Sequence, residues 1–154
     1  MSEQVDAPSR REVLATGGAA VLAAALATRI AFADPAAAEA EIKRRFGDRP
    51  MEGSRIKLDM PQIAENGLVV PMSVTVESPM TVDDYVKAVH LFADGNPAPS
   101  VASFYFTPAG GKAVASSRMR LAKSQSVIAV AEMSGGTLHT TSAKVKVTVG
   151  GCGG

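Results

Sequence analysis

From Gly53 to Val149 the chain alternates apolar and polar residues in a period of two, and turn residues break the pattern again and again. A period of two sends successive side chains to opposite faces of a strand, so each segment has one face to bury. Ile56 and Leu58 alternate with Lys57 and Asp59, and Asn66-Gly67 marks a turn. In Val70–Val76, Met72, Val74 and Val76 share one face, opposite Ser73 and Thr75. Tyr85–Ala93 and Val101–Thr107 are rich in strand formers and flank the turn Asp94-Gly95-Asn96-Pro97. Pro108-Ala109-Gly110-Gly111 breaks the pattern before Ala113–Ala122, which sets Arg118 and Arg120 against Met119 and Leu121. Val127–Met133 is nearly all apolar, Gly135-Gly136 is a turn, and Thr137–Val149 ends in the alternation Lys144 to Val149. About seven strands spaced by turn signals at roughly 8–12 residues predict an all-β, immunoglobulin-like antiparallel sandwich.

A short helix precedes the strands. Asp34-Pro35 is a start signal, Ala36–Phe46 is rich in helix formers, and Gly47 ends the run. Ile42 and Phe46 lie four apart on one face and are the expected anchors. No strand–helix–strand alternation or glycine-rich phosphate loop is present, which argues against a nucleotide-binding α/β domain.

The chain has 154 residues, enough for one domain with a sizeable core but not for two full domains. It is 46% hydrophobic with a net charge of +1, unlike a disordered chain. Lys and Arg number 16 against 15 acids, which leaves no cation surplus for nucleic acid. The single cysteine excludes an intrachain disulfide framework and a multi-thiolate metal site.

Residues 1–33 have the anatomy of an export signal. Ser9-Arg10-Arg11 precedes a stretch without charge from Val13 to Thr28, and Ala31-Phe32-Ala33 is a small-x-small cleavage pattern. The stretch is about 16 residues long, short of the ~20 that a spanning helix needs. Arg10 and Arg11 resemble a twin-arginine signal, with Val13 where a bulkier residue is usual. Arg29, near the end of the apolar run, fits that route better than general secretion. The expectation is cleavage after Ala33, a mature domain over 34–149, a periplasmic location, and no membrane segment in the mature form.

Beyond Val149 the chain reads Gly150-Gly151-Cys152-Gly153-Gly154. Four glycines give the only thiol no packing partner, and the pentapeptide is expected to be a flexible arm. Such a setting does not suit a catalytic nucleophile, which needs a fixed base. With a reference pKa near 8.5, only a few per cent of a thiol is thiolate at pH 7 unless a partner supplies cations. These features point to a carrier rather than an enzyme. Two other readings stay open: an exported thiol-redox or copper-delivery partner protein, and a structural protein joined through intermolecular disulfides. A copper site would draw on Met72, Met80, Met119, Met133, His90 and His139. The alternation places Met72, Met119 and Met133 at core positions and His90 inside a strand, so no metal site and no cofactor are expected. Asp83-Asp84 reads as a solvated turn. Lys144 and Lys146 read as the exposed face of the last strand, blunting a sheet edge or steering anions.

An exported β domain ending in Gly-Gly-Cys-Gly-Gly resembles the SoxY family, the sulfur-carrier subunits of the bacterial Sox thiosulfate-oxidation system. Asn66–Pro71, Val76–Thr81, His90–Asp94 and Ala131–Ser134 also look like that family's. The resemblance implies a heterodimer with a SoxZ-like subunit. It implies transient docking to SoxAX, SoxB and SoxCD-type enzymes. It implies Cys152 as the covalent attachment site, bearing S-thiosulfonate and then persulfide, with Gly150, Gly151, Gly153 and Gly154 as the arm.

Overall fold

The helix forms where expected. α1 spans Pro35–Phe46. Gly47 stops it with φ +68, a left-handed conformation that glycine adopts without strain, and its N–H bonds the Lys43 carbonyl at 2.7 Å. The computed structural model describes residues 35–150. The signal segment 1–33 with Arg10 and Arg11, the expected helix cap Asp34, and Gly151, Cys152, Gly153 and Gly154 lie outside the described residues.

Among the described residues nine strands come after the helix: β1 (Met51–Glu52), β2 (Ile56–Asp59), β3 (Ile63–Asn66), β4 (Val70–Val76), β5 (Val86–Ala93), β6 (Ser100–Tyr105), β7 (Ala113–Met119), β8 (Gln125–Met133) and β9 (Leu138–Val149). One sheet is antiparallel in the order β2-β4-β7. The other runs β1-β9-β8-β5-β6, with β3 also paired to β9. The described residues therefore form the expected all-β sandwich with one short α-helix. Its core joins Met72, Val74 and Val76 of the small sheet to Val89, Leu91, Val127 and Ala129 of the large one.

The large sheet is covered on both faces, which explains the apolar run of β5. Val89, Leu91 and Ala93 enter the sandwich core. Phe92 points the other way, into a second cluster with Phe46, Val130 and Leu138, against which Ile42 packs. Burying a ring such as Phe46 stabilises by about 1.5–3 kcal/mol, and this is what docks α1.

Two strands go beyond the expected seven. β1 and β3 pair in parallel with successive parts of β9: Met51↔Leu138 and Glu52↔His139, then Ile63↔Lys146 to Asn66↔Val149. Both are too short to show a period, and only Ala64 of β3 is buried. β9 thus has β8 on one flank and β1 and β3 on the other. Lys144 and Lys146 are exposed, but Lys146 does not blunt an edge, since its N–H bonds the Gln62 carbonyl at 2.8 Å. Asp83 and Asp84 fall in the expected turn, where Arg55 meets Asp84 at 3.5 Å.

Candidate functional site

The end of β9 is the root of the cysteine-bearing segment, and it is held from both sides. β8 ends its pairing at Gln125↔Val145. Ser124 continues that flank with its side chain: its hydroxyl accepts from the Val147 N–H at 2.9 Å and donates to the Val147 carbonyl at 3.3 Å. On the other flank, β3 pairs through Ala64↔Val147 and Asn66↔Val149. The Thr148 hydroxyl reaches the Glu65 carbonyl at 3.0 Å and the Ala64 carbonyl at 3.2 Å. Beyond the strand, the Gly67 N–H donates to the Val149 carbonyl at 2.8 Å. The final residues of the sheet are therefore tied as firmly as its middle.

A loop supports this root from below. After β7 the chain leaves the sheet at Arg120, and the Leu121 N–H bonds the Gly67 carbonyl at 2.8 Å. Asn96 locks the loop: its Nδ2 donates to the Arg120 carbonyl and its Oδ1 accepts from the Ala122 N–H, both at 2.9 Å. Buried Gln125 completes the network. Its Nε2 donates to Asn96 Oδ1 at 2.9 Å and to the Lys123 carbonyl at 3.1 Å, and its Oε1 accepts from the Gly95 N–H at 2.8 Å. Among the described residues no buried side-chain polar atom lacks a partner, so this network is fully satisfied and rigid. Gly95 must be glycine, because an added Cβ would stand 2.8 Å from the Gln125 Cβ. Gly150 is held the same way: a Cβ there would collide with the Ala122 carbonyl oxygen.

Around the root the surface is apolar and basic. Ile63, Leu68, Val69 and Val149 are exposed, Val149 at 65%. Lys144 and Lys146 on β9, Arg120 and Lys123 on the loop and Glu65 on β3 are exposed on the same elements. Chemically, the arrangement can present the segment beyond Val149 from a fixed point, in a setting that favours anions.

Of the arm residues singled out from the sequence, only Gly150 lies within the described part of this site. Cys152, Gly151, Gly153 and Gly154 lie outside it. The candidate copper ligands do not converge. Met72, Met119 and Met133 are core residues, and His139 is buried beside Ser54 at 3.4 Å and Glu52 at 3.7 Å. Among the described residues no three His, Asp or Glu side chains are placed to share an ion. His90 is buried under α1, with its Nδ1 2.5 Å from Arg45 Nη1 and 2.7 Å from Ser103 Oγ. The roles of Ser124, Gln125 and Asn96 were not read from the sequence. The one signal for them was a glutamine opening an otherwise apolar run.

The family of the sulfur oxidation protein SoxY matches residues 42–152. The sulfur carrier protein SoxY from Chlorobium limicola f thiosulfatophilum is 35% identical with a TM-score of 0.60, over 72% of this chain and 96% of that one. A superoxide reductase (neelaredoxin) from Ignicoccus hospitalis aligns at 18% identity and TM-score 0.54, over 60% of this chain and 79% of its own. A superoxide reductase-like protein from Thermotoga maritima aligns at 21% and 0.52, over 62% and 87%. At such identities the likeness to the reductases is one of fold alone. No curated protein matches the chain.

Proposed function

The chain belongs to the SoxY family of sulfur oxidation proteins, and from that membership we propose that it carries sulfur covalently on Cys152. Its role is that of a carrier in sulfur oxidation, with enzymes acting on the sulfur it holds. The observation that carries the reading is the family match itself, which extends to residue 152 and so includes the only cysteine of the chain. The fixed root supports it, because a carrier must offer its cargo from a defined place.

The Cys152 thiolate and thiosulfate join through a new sulfur–sulfur bond, giving the S-thiosulfonate and releasing two electrons to a c-type cytochrome of the SoxAX kind. Water then cleaves the terminal sulfonate, yielding sulfate, two protons and the Cys152 persulfide; a SoxB-type hydrolase performs this step. A SoxCD-type enzyme takes six electrons from the outer sulfur as three waters supply its oxygens and lose six protons, giving the S-sulfonate, and a second hydrolysis releases sulfate and two protons and regenerates the thiolate. The basic surround of the root favours the thiolate and the anionic adducts alike. The partner subunit is of the SoxZ kind. The location is the periplasm, reached by the twin-arginine route with cleavage after Ala33.

The test is intact mass before and after thiol reductant, on protein from cells grown with thiosulfate. A reducible sulfur-containing adduct should map to Cys152, and Cys152→Ser should fold normally and carry none. An adduct persisting on Cys152→Ser would reject the reading.

A further inference from the structure

A second basic site lies away from the root, on the helix-covered face of the large sheet. It is a cleft of about 560 Å³ between α1 and the strands β5 and β6. Arg45, Arg49, Lys87, His90, Tyr105 and Glu132 line it. The charges there do not cancel. Lys87 meets Glu132 at 3.5 Å, and neither Arg45 nor Arg49 pairs with a carboxylate among the described residues.

The groups that the two arginines do bond are neutral. Arg45 spends only Nη1, on His90 Nδ1 at 2.5 Å and Ser103 Oγ at 3.2 Å. Arg49 spends only Nη2, on the Gly136 carbonyl. A guanidinium has five N–H donors in a fixed fork, so most of each fork is left to face the cleft or solvent. Burial first, and the Arg45 charge second, hold His90 below the usual imidazole range, so it adds no charge of its own to the wall. Phe46 holds the arginines in place, since it anchors the end of α1 in the second core cluster.

The cleft is not a dock for the cysteine of its own chain. His90 stands level with Thr140 of β9 through Val130, and Val149 lies nine residues further along the strand. At about 3.3 Å per residue that is roughly 30 Å. Three residues of chain reach about 10 Å beyond Val149.

We propose that this cleft is a separate, noncovalent binding site for a divalent tetrahedral oxyanion of the sulfate type, gripped by the Arg45 and Arg49 guanidinium groups with Lys87 at the rim. A guanidinium fork matches the paired oxygens of such an anion, and two forks with no bonded carboxylate in one concavity favour a double charge over a single one. The site needs no thiol and stands independently of the carrier reading.

Sodium sulfate titrated into the purified Cys152→Ser chain, followed by amide NMR against sodium chloride at equal ionic strength, tests it. Saturable shifts at Lys87, Ala88 and His90 are expected with sulfate and not with chloride. Arg45→Gln and Arg49→Gln should each weaken binding about tenfold, the loss of one charge-assisted contact, and Lys87→Gln, at an exposed position, should weaken it severalfold. Equal shifts with chloride, no saturable shift, or binding unchanged in a folded Arg49→Gln or Lys87→Gln chain would overturn the proposal.

Discussion

His90 shows how far one residue can be read from its neighbours in sequence. Its position inside a strand was legible, and so was its burial. Its partner was not. Arg45 is 45 positions away and reaches His90 only because Phe46 seats α1 on the sheet. The groups facing the imidazole are the Arg45 cation, the Ser103 hydroxyl, the Phe46 and Tyr105 rings and, at longer range, the Glu132 carboxylate, which opposes the shift. Burial and Arg45 outweigh it and lower the pKa from 6.5. The unfolded chain therefore takes the proton first, so stability is complete above about pH 6.5 and falls as pH drops from there to the folded-state value. Urea midpoints between pH 7.5 and 5 should decline in the parent chain, and His90→Gln should remove part of that slope. Equal slopes in both would show that another group governs it.

Among the elements, β9 was the most legible and its flanks the least. Alternation from Lys144 to Val149 announces a strand, and the neighbouring turn signals announce β8 as its antiparallel partner. Nothing announces β1 and β3. With two and four residues they carry no period, and they exist because β9 offers them a row of unpaired backbone groups. The root of the cysteine segment therefore came from long-range pairing that local pattern cannot encode. The same contacts make Gly150 a test of the element. Gly150→Ala drives a Cβ into the Ala122 carbonyl, which Asn96 and Gln125 hold in place. The expected cost is about 1–3 kcal/mol, typical of overpacking against a backbone that cannot retreat. It is read from urea denaturation together with amide shifts at Ala122 and Leu121. A silent substitution would mean that the loop yields.

On the scale of the whole molecule, the sandwich, its helix and the family were all legible, because periodicity, turn residues and the terminal pentapeptide are written locally. The basic cleft was not, since it draws on α1, β5, β6 and β8 at once. The proposed export belongs to this scale too. Replacing Arg10 and Arg11 together by lysine should leave the protein uncleaved in the cytoplasm, as cell fractionation and N-terminal sequencing would show. A processed periplasmic product from that variant would exclude the twin-arginine route. The clamped end of β9 also sets a concentration. Because Val149 is fixed, the sulfur of Cys152 is confined to within about 10 Å of it, whatever path the three residues take. That is a search volume of roughly 4,000 Å³, equivalent to a local concentration on the order of 0.4 M. An enzyme whose entrance sits over the Leu68–Val69 surface meets the thiol as though it were dissolved reagent, and one that docks elsewhere on the sandwich scarcely meets it at all.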